Sequence, residues 1–113
     1  MNEPQWIAAT DVVFVEPDGA RVAGKIQIGL PGPSANGSEA QCSYNLEPIA
    51  TGRPIYGADN LQALLLALRM CGVELALFER RGGRIEYPPA EDGSPGPPWE
   101  ASATFGAFFR VPS

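Results

Sequence analysis

The chain has 113 residues, a mass of 12.0 kDa and a formal net charge of −5. This length predicts a single domain over residues 1–113, with a core that needs no disulfide or metal to hold it. The acidic balance argues against non-specific binding to nucleic acid or to an anionic membrane, because both need a cationic surface. The first six residues lack the features of a signal peptide, so we expect a cytoplasmic protein with Cys42 and Cys71 as reduced thiols.

Three strands are predicted in the first half of the chain, after a frayed start over residues 1–5. Residues 6–15 are rich in β-branched and aromatic side chains, which predicts a strand. Both of its faces are largely apolar after Asp11, so we expect it to be central in the sheet or covered on both faces. The sequence Glu-Pro-Asp-Gly at 16–19 predicts a hairpin turn. Residues 20–30 and 39–46 alternate apolar and polar side chains, which predicts two strands that each have one wet face.

Prolines and glycines predict breaks between the strands in the first half of the chain. Those in residues 30–38 predict a loop that leaves the sheet. Pro48 is expected to end the third strand. Residues 49–56 are then expected to cross over to the next element, with Gly52 and Pro54 turning the chain.

Residues 60–81 carry the strongest helical signal in the chain. Asp59 and Gln62 have the spacing of a capping box, in which each side chain satisfies a free backbone N–H of the first turn. At the other end, Arg80 and Arg81 precede two glycines, which predicts a helix end near Arg81.

This helix has two apolar sides when its residues are placed about 100° apart. One broad side is expected to lie on the sheet and consists of Leu61, Leu64, Leu65, Leu68, Cys71, Gly72, Leu75 and Phe78. A second set, called here the second stripe, lies roughly opposite and consists of Leu66, Met70, Val73 and Leu77. One sheet can cover one side of a helix, so the second stripe needs the chain's own C-terminal segment, a second copy or another protein. We therefore take the second stripe as the candidate interaction site.

The C-terminal third combines a proline-rich loop with an aromatic tail. Residues 84–87 are long enough for a short fourth strand, and residues 88–98 contain five prolines and predict a loop. Residues 99–113 carry four aromatic side chains, which predicts a tail packed on the domain, with the second stripe as the favoured surface for it to cover. Tyr87, Trp99 and Phe105 are candidates to line a pocket between this tail, the loop and the sheet.

Together these elements predict an α+β fold. The core, residues 6–87, is an antiparallel β-β-β-α(-β) domain with two layers and one long helix on the sheet. A doubly wound parallel sheet is disfavoured because one helix cannot supply the crossovers that parallel strands need.

The residue types needed for common catalytic sites are missing. The chain has no histidine, which removes the usual general base at neutral pH and the commonest metal ligand. Cys42 and Cys71 do not form a Cys-x-x-Cys pair and are expected to be buried thiols. Asp59 is interpreted as a helix cap. We therefore predict no enzyme, no catalytic or metal residues and no cofactor. Two charged groups are interpreted as surface features: the Arg80, Arg81 and Arg84 cluster at the helix end, and Glu91-Asp92 in the loop.

One stretch of the chain resembles a known group of domains. The run Tyr56-Gly57-Ala58-Asp59-Asn60-Leu61-Gln62-Ala63-Leu64, after three strands of which the third carries a cysteine, is similar to the helix start Tyr-Gly-x-Asp-x-x-Gln-Ala-Leu of small uncharacterised bacterial domains. The resemblance covers about residues 7–87 and implies the same fold and a bacterial origin, without an activity to transfer. The composition agrees with a GC-rich bacterial genome, since seven of the eight basic residues are arginine.

Three hypotheses for function follow. The first is a small acidic interaction domain that associates with itself or binds another protein, for example as an immunity-type protein that neutralises a basic toxin. The second is a small-molecule-binding domain that uses the pocket near the aromatic tail. The third, an enzyme based on carboxylates and arginines, has no organised site in the sequence. We favour the first.

Overall fold

The computed structural model describes residues 5–101 and 104–105, with the backbone alone at Thr51. Its elements follow the order β1 (Trp6–Val15), β2 (Arg21–Gly29), β3 (Gly32–Pro33), β4 (Ala40–Glu47), β5 (Ala50–Gly57), α1 (Asn60–Arg80) and β6 (Arg84–Glu86). The strands form one antiparallel sheet with α1 packed on it, so the α+β fold predicted from the sequence is confirmed.

The antiparallel sheet has β1, β2 and β4 in its interior. β1 pairs with β2 on one side and with β6 on the other. β4 pairs with β2 and β3 along one edge and with β5 along the other, which leaves β5 and β6 at the two ends. The predicted central position of β1 is confirmed, and Val12, Phe14 and Val15 are fully buried.

The hairpin turn between β1 and β2 forms as its residues dictate. Gly19 has a φ of +92°, which a residue without a Cβ adopts at low cost. The Asp18 carboxylate accepts a hydrogen bond from the Ala20 backbone N–H at 2.9 Å. The backbone N–H of Gly19 donates to the Glu16 carbonyl at 2.8 Å.

The crossover predicted over residues 49–56 is wrong, because Ala50–Gly57 forms the edge strand β5. Pro54 pairs with Ser43 in a strand that has one bonded neighbour, so the N–H that proline lacks is not needed by the ladder. Gly52 adopts a φ of +62°, close to where the β4–β5 register shifts. Both residues that predict a turn are therefore accommodated by an edge position and an irregular register.

The loop predicted over residues 30–38 is also partly wrong. Gly32 and Pro33 pair with Gln41 and Ala40 and so extend the ladder at one end of β4. The ladder is only two residues long, and the chain then turns at Ser34, whose N–H donates to the Glu39 carbonyl at 2.8 Å.

Helix α1 begins and ends where the sequence predicts. Asp59 is its N-cap and accepts a hydrogen bond from the Gln62 backbone N–H at 2.8 Å. The Gln62 side chain accepts in return from the Ala58 backbone N–H at 2.6 Å, one residue earlier than in a standard capping box. Arg81 is the C-cap.

The side of α1 that faces the sheet differs from the prediction at its first two turns. Leu61 and Leu65 are 66% and 41% exposed, whereas Ala63 and Ala67 are fully buried. A Cβ at Gly57 would lie 2.6 Å from the Ala63 backbone nitrogen, so the start of the helix lies directly against the end of β5. Position 57 therefore takes only glycine, and the helix is rotated so that Ala63 and Ala67, rather than Leu61 and Leu65, are buried. Cys71, Leu75 and Phe78 are buried as predicted.

Candidate functional site

The second stripe lies on the solvent-facing side of α1. Leu66 and Met70 are each 37% exposed, Val73 is 43% exposed and Leu77 is 51% exposed. They lie on the outer side of a helix whose opposite side is buried on the sheet. The described part of the chain therefore leaves a continuous apolar strip uncovered, about three helical turns long.

Charged residues flank the second stripe on both sides. Exposed Arg69 lies along one flank. On the other flank Glu74 pairs with Arg53 of the edge strand β5, with Arg53 Nη1 and Glu74 Oε1 3.4 Å apart. The Glu74 side chain is 19% exposed, whereas that of Arg53 is 60% exposed. This ion pair ties the helix to the sheet edge beside the second stripe.

A buried tyrosine lies beneath that flank. Tyr44 of β4 is fully buried, and neither its hydroxyl nor Glu74 Oε2 has a well-formed hydrogen bond. Burial and then the neighbouring Glu74 raise the pKa of Tyr44 to about 12, so the hydroxyl is neutral at physiological pH. Solvent does not reach this group, which suits a structural role in the interface between helix and sheet.

The C-terminal segment packs on a different side of the helix from the second stripe. A Cβ at Gly72 would lie 3.1 Å from Cγ of Phe105, so this ring lies on the helix at Gly72. Trp99 is 5% exposed and contacts Phe105 edge to face, with ring centroids 6.3 Å apart. Trp99 and Phe105 thus pack on the domain as expected, but away from the second stripe that the tail is expected to cover, and residues 106–113 lie outside the described part of the chain.

A pocket of about 420 Å³ lies where the C-terminal aromatic residues meet the sheet. β1 contributes Ala8, Ala9 and Thr10, and β2 contributes Ile26 and Ile28. Leu68 of α1 forms one wall, and the remaining lining comes from the segment after β6, namely Tyr87, Trp99, Thr104 and Phe105. The three aromatic residues that the sequence suggests for a pocket all line this one. The surrounding strand residues were not anticipated.

The proline-rich loop closes on itself and holds the aromatic side of the pocket. The Tyr87 N–H donates to the Pro97 carbonyl at 2.9 Å, and the Trp99 N–H donates to the Ile85 carbonyl at 2.8 Å. A Cβ at Gly96 would lie 2.1 Å from the Tyr87 carbonyl oxygen, so only glycine fits where the two ends of the loop meet. Asp92, at the loop tip, accepts hydrogen bonds from the backbone and hydroxyl of Ser94.

Both cysteines are buried free thiols, as expected. Cys42 donates a hydrogen bond from Sγ to the Gly29 carbonyl at 3.2 Å, and burial raises its pKa. Burial and the nearby Glu74 raise the pKa of Cys71 to about 12. A nucleophilic thiol needs a lowered pKa and access to solvent, and these two have neither.

Within residues 5–101 and 104–105, no three acidic or cysteine side chains lie close enough together to hold a metal ion. Among the arginines at the helix end, Arg81 stacks over the Phe78 ring at 5.8 Å, and Arg84 lies 3.8 Å from Glu86. By length and composition alone α1 could cross a membrane, a property that it shares with core helices of soluble domains.

Sequence reasoning missed several residues of both candidate surfaces. The apolar surface of α1 includes Leu61 and Leu65 besides the second stripe, which follows from the rotation of the helix at Gly57. One feature of the sequence indicates the pocket beside Trp99, namely the small side chains of Ala8 and Ala9 in a strand whose other side chains are mostly bulky.

Comparison with known proteins identifies a family. Neither the curated proteins nor the solved structures that were compared gave a match. A family model described as a domain of unknown function, DUF6968, matches residues 14–98. The match runs from the end of β1 through the proline-rich loop and so includes the whole of α1 and its second stripe. Because it spans most of the chain, this protein belongs to the DUF6968 family.

Proposed function

We propose that this protein is an interaction domain that pairs with a second copy of itself along the second stripe of α1. The observation that carries the proposal is the exposure of Leu66, Met70, Val73 and Leu77 on one side of a helix whose other side is buried. Contiguous apolar surface of this kind is rare on proteins that work as monomers and marks interaction sites.

The spacing of the second stripe suits pairing of two helices. Its residues are separated by four, three and four positions, which is the d-a-d-a spacing of a coiled-coil seam. In that register Arg69 takes a g position and Glu74 an e position. Glu74 is paired with Arg53 of its own chain and its side chain is 19% exposed, so the apolar residues of the second stripe carry the pairing. A second copy therefore offers the apolar complement.

The size of the surface predicts weak association. Complete burial of a large apolar side chain contributes roughly 1.5–3 kcal/mol, so covering the exposed fraction of four of them in each of two copies contributes about 4–10 kcal/mol. Association itself costs at least about 4 kcal/mol in lost freedom of motion. The balance is at most about 6 kcal/mol, so the strongest association that this surface allows has a dissociation constant of roughly 40 μM.

Light scattering over a wide concentration range tests the proposal. We expect the mass of the wild type to rise from monomer toward dimer between about 10 μM and 1 mM, and Met70→Glu to remain monomeric and folded. Leu61→Glu is the matched control, because it adds the same charge to an exposed apolar site of α1 outside the second stripe.

A wild type that stays monomeric to about 1 mM would contradict the proposal. A dimer that Met70→Glu leaves intact would place the interface elsewhere. The immunity-type alternative, in which this acidic chain neutralises a basic protein, would gain from a monomeric wild type. The proposal places the protein in the cytoplasm, free of nucleic acid and of the membrane, in keeping with its net charge of −5.

A further inference from the structure

We infer that the pocket between the end of the β1–β2 hairpin, α1 and the C-terminal aromatic residues is a binding site for a small, uncharged, largely apolar molecule. The pocket measures about 420 Å³, within the range of about 300–1,000 Å³ that is usual for small-molecule sites. This site is separate from the second stripe, since Leu68 is its only α1 residue among those described.

The chemistry of the lining defines the class of ligand. No charged side chain lines the pocket among the described residues, and its polar side chains are the hydroxyls of Thr10, Tyr87 and Thr104. Each hydroxyl can donate or accept a hydrogen bond, so the site can satisfy one or two polar atoms of either kind. An ionic group would enter without a partner charge and lose its hydration. The pocket therefore favours a neutral molecule with an aromatic or aliphatic body.

The aromatic side of the pocket is formed before any ligand arrives. Trp99 is fixed by its backbone hydrogen bond to Ile85 and by its edge-to-face contact with Phe105. The loop ends that carry Tyr87 and Trp99 are tied by the Tyr87–Pro97 hydrogen bond and the Glu86–Pro98 bridge. A ligand would not have to order these groups, which lowers the free-energy cost of binding.

A matched pair of fluorescent probes tests the inference. N-phenyl-1-naphthylamine is neutral, and 1-anilinonaphthalene-8-sulfonate has the same rings with one added sulfonate. We expect the neutral probe to bind the wild type saturably, one molecule per chain, and the sulfonate to bind at least about tenfold more weakly. The sulfonate should lose affinity because its charge finds no partner in the pocket.

Substitutions at different surfaces show where on the protein the probe binds. Ala8→Trp fills the pocket from an exposed strand position and should weaken the neutral probe by about tenfold or more. Ala23→Trp is the control, because Ala23 is an exposed β2 alanine outside the lining, and Met70→Glu tests for binding on the second stripe; both should leave probe affinity unchanged. Three results would each overturn the inference: no saturable binding to the wild type, loss of binding in Met70→Glu with retention in Ala8→Trp, or equal affinity for the two probes.

Discussion

Replacing Gly72 with alanine tests how the C-terminal segment packs on the helix. Gly72 lies in the interior of α1, where alanine is favoured over glycine by roughly 0.5–1 kcal/mol. The added Cβ would lie 3.1 Å from Cγ and 3.2 Å from Cβ of Phe105, so the ring has to move by a few tenths of an ångström. Overpacking of this kind costs typically about 1–3 kcal/mol when the neighbour cannot move. Since a shift of a few tenths of an ångström relieves most of this cost, the two effects should nearly cancel.

The assay is urea denaturation followed by far-ultraviolet circular dichroism, on a double-mutant cycle of Gly72→Ala and Phe105→Ala. In the wild-type background Gly72→Ala should change the free energy of unfolding by less than about 0.5 kcal/mol. In the Phe105→Ala background the same change should stabilise by about 1 kcal/mol, because the ring no longer opposes the new methyl group. Equal stabilisation in both backgrounds would show that Phe105 does not lie on Gly72, and would refute this account of the C-terminal segment.

Three further predictions concern stability. Gly24→Ala should lower the free energy of unfolding in urea denaturation by about 1–3 kcal/mol, because the added Cβ would lie 2.2 Å from the Glu47 carbonyl oxygen. Gly32→Ala is the control and should be neutral, because no atom lies within 4 Å of its added Cβ. Equal effects of the two substitutions would contradict the packing described. Asp59→Ala should lower the free energy of unfolding by about 1 kcal/mol and Asp59→Asn by much less, since asparagine also caps helices; equal losses would argue against the cap. The pKa of Cys71 rises from 9.0 to about 12 in the folded state, so stability should be full below pH 9 and decline as the pH rises toward 12. Thermal melts from pH 7 to about 11 should show that decline, and Cys71→Ala should reduce it; an unchanged decline in Cys71→Ala would assign it to other groups.

Local chemistry explains why much of the fold could be predicted from the sequence. The ends of α1 depend on Asp59, Gln62 and the glycines after Arg81, all within one turn of the helix boundary. The apolar run of β1 after Asp11 and most of the alternating residues of β2 and β4 match their burial, although Val22 is exposed and Asn45 is buried, against the alternation. These signals need no knowledge of the rest of the chain.

The errors come from contacts between distant segments. β5 was missed because Gly52 and Pro54 predict a break, and only the edge position of the strand makes them tolerable. The rotation of α1 that exposes Leu61 depends on how the helix packs on β4 and β5, which no sequence period reveals.

The candidate sites divide in the same way. The second stripe is a periodic feature and was visible in the sequence, and its exposure in the structure is what makes it a candidate surface. The pocket was anticipated at its aromatic side, by Tyr87, Trp99 and Phe105. The strand residues that line the pocket could not be predicted, because Ala8 and Ile28 lie beside those rings only as a result of the strand pairing in the sheet.

The most direct test of self-pairing is disulfide trapping along the second stripe. In a parallel pair the two residues at position 70 face each other, close enough for a disulfide, whose Cα atoms lie about 5.5–6 Å apart. The native cysteines are buried, so they should not interfere. On mild oxidation Met70→Cys should form a covalent dimer much faster than Leu61→Cys, which lies outside the second stripe. Equal, slow cross-linking of the two variants would contradict pairing through this stripe.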